Sequence, residues 1–387
     1  MDEQVGIWFV GARGSLATTT ALGLHALASR LAPPTGCVTE LDDMDARGLP
    51  AYDRLVTGGH DVSDLPLPKR AEQLVAGGVV SATLVDALRT ELTAADARIR
   101  PGVNTSTETD QRSTIERLAA DITEFHDQMG VDRTVVVDIS STEPPQDTGP
   151  DTASWGALEA AWDAGRAPLT PSSLYACAAL LAGCSYVGFT PSPGIEVPAL
   201  RELAEREGLP YAGRDGKTGE TLVKSALAPM FASRALPIRS WTSVNLLGGG
   251  DGETLADPTA AASKTETKQQ SLDAIVGAPV DGPMHIDYVE DLGDWKTAWD
   301  HVRFDGFLGA RMTLQFTWQG CDSALAAPLV LDLVRLIARA HALGDTGPLP
   351  ALGFFFKSPV ASDEHRLPAQ WDALVAWARD CGERAPS

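Results

Sequence analysis

Gly6-Ile7-Trp8-Phe9-Val10 runs straight into Gly11-Ala12-Arg13-Gly14-Ser15-Leu16-Ala17, and the reading of this stretch decides the fold. Its first half is an apolar run of strand length, and its second half is a turn punctuated by glycine. A helical pattern follows over 18–31. Strand, glycine turn and helix in that order open a parallel βαβ unit of the dinucleotide-binding kind. The spelling is G-x-x-G-x-x-A rather than G-x-G-x-x-G. The turn therefore reads either as a nucleotide loop or as an ordinary βα connection.

The alternation continues downstream. Residues 134–139 (TVVVDI) have the β-branched character of a strand buried on both faces, and Asp138, Ser140, Ser141, Thr142 and Glu143 stand at its carboxyl end. Residues 173–182 read as a helix and 186–190 as the next strand. Such a pattern predicts a doubly wound α/β sheet. After Ser225 the character changes to strand-like segments over 238–247 and 284–288, a long polar helix over 258–274, and further strand over 304–318. This reads as an inserted α+β unit. The apolar helix over 324–342 would return the chain to the first sheet.

At 387 residues the chain exceeds one ordinary core, so two domains are expected. A formal net charge of -21 argues against nucleic acid and anionic membranes as partners. No uncharged apolar run reaches the length of a membrane span, about 18 residues, and no basic-then-apolar leader precedes the first strand. Five scattered cysteines without a CxxC pair suit a reducing cytoplasm rather than a disulfide or thiolate–zinc framework. The histidines show no metal-ligand spacing.

Against this acidity, residues 213–225 (GRDGKTGETLVKS) concentrate three glycines, two lysines, an aspartate and three hydroxyls. The segment reads as a loop feeding a helix N-terminus, where backbone N–H groups favour an anion; the alternative is a glycine-rich surface turn. Asn245-Leu246-Leu247-Gly248-Gly249-Gly250-Asp251-Gly252 is a strand entering a glycine turn, either a plain hairpin or a place where backbone approaches a ligand. Lys264 and Lys268 share a helix face, and Lys296 stands beside Trp295; each alone suits a solvated surface. Lys357 closes the run Phe354-Phe355-Phe356, and a lysine there is expected to be paired or functional.

Taken together, the segments 215–225, 245–252, 263–268, 304–309, 322–328 and 354–359 resemble the myo-inositol-1-phosphate synthases, and most of all their compact prokaryotic branch. The resemblance implies a Rossmann-like doubly wound parallel sheet with an inserted α+β catalytic and tetramerisation domain. The boundaries would be 1–218 for NAD binding, 219–321 for catalysis and oligomerisation, and 322–387 for the return to the first domain. It implies a redox-neutral cyclisation of a hexose 6-phosphate on bound NAD. C5 is oxidised, the C6 enolate adds to the C1 aldehyde, and C5 is reduced again.

Carried onto this chain, the resemblance gives a lysine quartet of Lys264, Lys268, Lys296 and Lys357, with Asp215 and Asp251 beside the reacting centre. Lys268 would manage the proton at C5. Lys264 and Lys296 would stabilise oxyanions, and Lys357 would bind near the reacting end or the phosphate. Gly11, Ala12, Arg13, Gly14, Ser15, Leu16, Asp61, Asp138, Ser140, Ser141, Thr142, Asp215, Thr218 and Asp322 would contact NAD. Asn245, Leu247 and Gly248 would join the lysines around the substrate, and Asp215 would hold any monovalent or divalent cation. A cytoplasmic homotetramer is expected. Arg214, Gly188 and Gly249-Gly250 depart from the family pattern and leave fructose 6-phosphate, closing to a five-membered ring, as the alternative substrate.

Overall fold

The computed structural model describes residues 3–105, 109–144, 149–248 and 279–385. Its first sheet has seven strands in the order β11-β6-β5-β4-β1-β2-β3. These are β1 (Val5–Val10), β2 (Leu55–Asp61), β3 (Ile99–Pro101), β4 (Arg133–Asp138), β5 (Ser185–Gly188), β6 (Pro210–Gly213) and β11 (Gly347–Pro348). Every pairing among them is parallel. All six residues of β1 are buried, as a strand flanked on both sides and covered on both faces must be. The strand order reverses between β1 and β4, so their carboxyl ends open a crevice.

Helix α1 (Ser15–Ala28) follows β1, and α5 (Gln111–Met129) precedes β4. The long helix α10 (Asp322–Ala342) packs on α1 and against β4, β5 and β6. One core joins β1, β4 and α10 through Ile7, Val135, Val137, Val330, Val334 and Ile337. The apolar helix expected over 324–342 thus lies against strands of the first sheet.

A second sheet has the order β10-β9-β7-β8, from β7 (Ile238–Leu247), β8 (Met284–Tyr288), β9 (Trp295–Asp305) and β10 (Arg311–Cys321). Helix α9 (Gly219–Ser233) covers one face, where Ala228 and Phe231 pack on Trp241 and Val302. The stretch 304–318, expected as continuous strand, is broken by a turn at Phe307–Gly309 between β9 and β10. The turn is hard to read because its tip is apolar: Phe307 is 88% and Leu308 90% exposed. The polar helix expected over 258–274 lies outside the described residues. Among those described, no helix is long and apolar enough to cross a membrane.

Candidate active site

The turn after β1 is shaped by backbone contacts. Gly11 adopts φ +86°, and a Cβ on it would lie 2.9 Å from Ser140 Cα. The N–H groups of Gly11 and Ala12 donate to the His60 carbonyl at 3.0 and 3.1 Å. Gly59 lets β2 come this close, since a Cβ there would sit 2.3 Å from the Phe9 carbonyl oxygen. His60 is fully buried: Trp8 Nε1 donates to its Nδ1 at 2.9 Å, and its Nε2 lies 3.0 Å from Asp121. Burial lowers its pKa, which suits a neutral ring donating from Nε2. The sequence displayed Gly58-Gly59-His60, but its role in holding the turn appears only here.

Gly14 is the N-cap residue of α1 and brings no side-chain cap, so the first N–H groups of the helix remain open to a ligand. Gly14, Ser15 and Leu16 line the crevice together with Ser140, Ser141, Thr142, Phe189 and Thr190. The crevice holds about 380 Å³. Three of the expected cofactor residues act one step back from it. Arg13 spends its guanidinium on Asp96 and the Ser63 carbonyl, and its N–H donates to Asp61 at 2.6 Å. Asp61 also accepts from Ser63 N–H at 2.7 Å, which fixes the end of β2. Asp138 is buried, accepts from Ser140 N–H and Oγ at 3.1 and 2.6 Å, and accepts from Tyr186 at 3.2 Å. Burial pushes its carboxyl up to about 6. It shapes the Ser140 turn that lines the crevice.

The run 213–217 lies antiparallel beside 355–360. Arg214 N–H donates to Ser358 at 2.8 Å, Lys217 N–H to Phe355 at 2.8 Å, and Lys357 N–H to Asp215 at 2.7 Å. Asp215 adopts φ +64°, and its carboxylate accepts from Lys357 Nζ at 2.7 Å. Two segments about 140 residues apart thus deliver one charged pair. Asp215 is the expected cation ligand; its carboxylate is held here by Lys357, and among the described residues no group of three His, Cys, Asp or Glu side chains forms an all-protein metal site.

Thr218 directs its hydroxyl to Asp322 Oδ1 at 3.0 Å, and Lys296 Nζ on β9 pairs with Asp322 Oδ2. Because that hydroxyl is committed, no side chain caps α9, and the N–H groups of its first turn stay available to an anion. A second cavity opens between α9 and the covered face of the second sheet. Its floor is two cross-strand rows: Asn245, Ala298 and Trp318, then Leu247, Lys296 and Gly320. Gly219, Glu220 and Thr221 form its wall. Thr218, Lys296, Asp322 and Lys357 line this cavity and the crevice alike. Gly248 lines the crevice. Asp251, Lys264 and Lys268 lie outside the described residues.

The two lysines of the run 213–225, Lys217 and Lys224, are buried. Lys217 donates to Gln370 Oε1 and faces the Phe354 ring at 5.8 Å, and burial lowers its pKa to about 7. Lys224 sits among Glu220, Ser243 and Asp300. The departures from the family pattern also acquire a geometry. Arg214 donates to the Pro191 carbonyl at 2.6 Å and lines neither cavity. At Gly188 a Cβ would meet only Tyr186 at 3.6 Å and Arg214 at 3.9 Å, both ordinary contacts.

A family model described as myo-inositol-1-phosphate synthase matches residues 5–379. The chain is 30% identical to an inositol-3-phosphate synthase 1 of Bacteroides thetaiotaomicron, with 99% of this chain and 97% of that protein covered. An inositol-3-phosphate synthase 1 of Homo sapiens is 31% identical, over 90% of this chain and 66% of that one. Among solved structures, an inositol-3-phosphate synthase from Caenorhabditis elegans superposes with TM-score 0.87 at 22% identity, covering 100% of this chain and 87% of the other. A myo-inositol-1-phosphate synthase-related protein from Thermotoga maritima gives 0.76 at 22% identity, with 97% and 98% covered. These last two speak for the fold.

Proposed function

The chain belongs to the myo-inositol-1-phosphate synthase family, and we propose that it cyclises a hexose 6-phosphate without net redox change, glucose 6-phosphate giving an inositol phosphate. One observation carries this reading. The crevice at the β1–β4 switch point and the cavity under α9 meet at Thr218, Lys296, Asp322 and Lys357. A cofactor in the first and a sugar phosphate in the second would touch only there, beside two ammonium groups.

NAD supplies the hydride chemistry when bound. The open N-terminus of α1 would hold its pyrophosphate, as helix N-termini hold anions. Ser140, Ser141 and Thr142 would contact its nicotinamide half. On the substrate side, the uncapped first turn of α9 offers N–H groups to the phosphate. Lys296 and Lys357 would stabilise the oxyanions that develop in turn at the reacting carbons, the task for which fixed charges in a desolvated site are most effective. Asp322 holds Lys296, and Asp215 holds Lys357, so neither ammonium is free to wander. From the family resemblance, Lys264, Lys268 and Asp251 complete the set.

The same resemblance suggests a homotetramer built through the second sheet, whose face away from α9 carries Trp299 at 38% exposure. All five cysteines are free and buried, in keeping with a reducing cytoplasm.

The assay supplies NAD⁺ with glucose 6-phosphate or fructose 6-phosphate and identifies the product by NMR. The expected result is a six-membered cyclitol phosphate from glucose 6-phosphate with no lasting NADH. A five-membered product from fructose 6-phosphate alone would reassign the substrate. Accumulating NADH with no cyclitol phosphate would refute cyclisation.

A further inference from the structure

One cross-strand row beyond the cavity floor, Ser243 on β7 stands beside Asp300 on β9, both at 0% exposure. Trp241 Nε1 and Ser243 Oγ each donate to Asp300 Oδ1 at 2.6 Å. Lys224 Nζ donates to Ser243 Oγ at 2.9 Å and lies 2.5 Å from Glu220 Oε1. Glu220 is itself a wall residue of the cavity. The donors all point one way, from Lys224 to Ser243 and from Ser243 to Asp300. A proton arriving at Glu220 therefore has a continuous route inward. The route ends on Asp300 Oδ1, and the other oxygen of that carboxyl, Oδ2, has no hydrogen-bond partner among the described residues, so the group keeps capacity for a proton.

The charges fit the same reading. Two carboxylates share one ammonium, with Lys224 Nζ 3.8 Å from Asp300 Oδ1. Among the described residues the charged groups acting on Asp300 are Glu220 and Lys224, both from α9; β7 presents Trp241 and Ser243, and β10 places Phe316 opposite. Burial first, and the Glu220 charge second, raise the Asp300 carboxyl above its ordinary range.

We propose that Asp300 is a proton store for the cavity, filled and emptied through Ser243, Lys224 and Glu220. The proposal rests on the reading that the cavity takes a sugar phosphate. An arriving phosphate dianion adds negative charge beside Glu220, and one proton drawn from solvent onto the carboxylate pair offsets the repulsion. No bond to carbon forms or breaks in this step. Because binding takes up a proton, affinity falls as pH rises.

The test titrates glucitol 6-phosphate into the full-length protein loaded with NADH, by calorimetry in buffers of different ionisation enthalpy. The reduced cofactor cannot oxidise the alcohol, so the heats report binding and protonation alone. Asp300→Asn keeps an oxygen for Trp241 and Ser243, and Glu220→Gln removes the charge at the entrance. The wild type is expected to take up more protons than either variant, by up to about one per site, and to lose affinity more steeply between pH 6 and 8. Asp300→Asn, which carries a neutral group in place of the proposed protonated carboxyl, should bind closest to wild type, within about three-fold, at the acidic end of that range. Equal proton uptake by wild type and Asp300→Asn would overturn the store and leave the substrate reading standing. A wild type that does not bind the phosphate at all would sink both.

Discussion

Lys357 and Lys217 show how one residue type divides its work. Lys357 closes an apolar run, yet its ammonium emerges beside Asp215 at the meeting of the two cavities. Lys357→Met is expected to lower kcat by about 10²–10³, as loss of one oxyanion-stabilising group does, with NAD affinity unchanged by fluorescence titration. Of these two, Lys217 is the one that the fold buries, with the Gln370 amide and the Phe354 ring as its surroundings. Its folded pKa is about 7, whereas the unfolded chain keeps the ordinary value of 10.5. Between these limits the unfolded state binds more protons, so this group makes stability rise with pH across the window. Chemical denaturation from pH 6 to 10 should show that rise in the wild type and lose this part of it in Lys217→Met. A variant with an unaltered slope would show that folding does not lower the Lys217 pKa. The apolar run before Lys357 marks that lysine locally as paired or functional, but the sequence names neither its partner nor the burial of Lys217. Their surroundings come from Asp215 and Gln370, each more than 140 residues from its lysine.

At the scale of elements, strands and helices of the first sheet were legible because they bury both faces and repeat one pattern. The expected strand over 134–139 is β4 (Arg133–Asp138), and the helix expected over 173–182 is α7 (Pro171–Leu181). The β9–β10 hairpin was not legible, since Phe307 and Leu308 at its tip give no polar turn signal. The same two strands have a second face. Trp299 stands opposite Val244 on β7 and Thr317 on β10, on the side that α9 does not cover. Tryptophan is enriched among the residues that carry most interface energy, so Trp299→Glu is expected to weaken self-association at least about ten-fold. Light scattering across a dilution series reads this directly. A variant with the wild-type mass at every concentration would remove this face from the interface.

For the whole molecule, the amino-acid sequence alone determined the class of fold and the family. Buried parallel strands need continuous apolar runs, and a turn pressed against a neighbouring backbone needs glycine at Gly11. Both are local requirements, so both are written locally. The sequence also contained Asp215, Thr218, Lys296 and Asp322 as candidates, each readable alone as an ordinary surface or loop residue, and Lys357, marked as paired or functional by its place after three phenylalanines. Their meeting was decided by tertiary structure. Pairing of 213–217 with 355–360 sets Lys357 on Asp215, while the turn from β10 into α10 brings Asp322 to Thr218 and Lys296. The structure likewise placed Arg13, Asp61 and Asp138 behind the crevice, and it assembled Glu220, Lys224, Ser243 and Asp300 into one buried chain. A charge acquires its function from the partners and the dielectric around it, and here strands and helices far apart in the chain supply both.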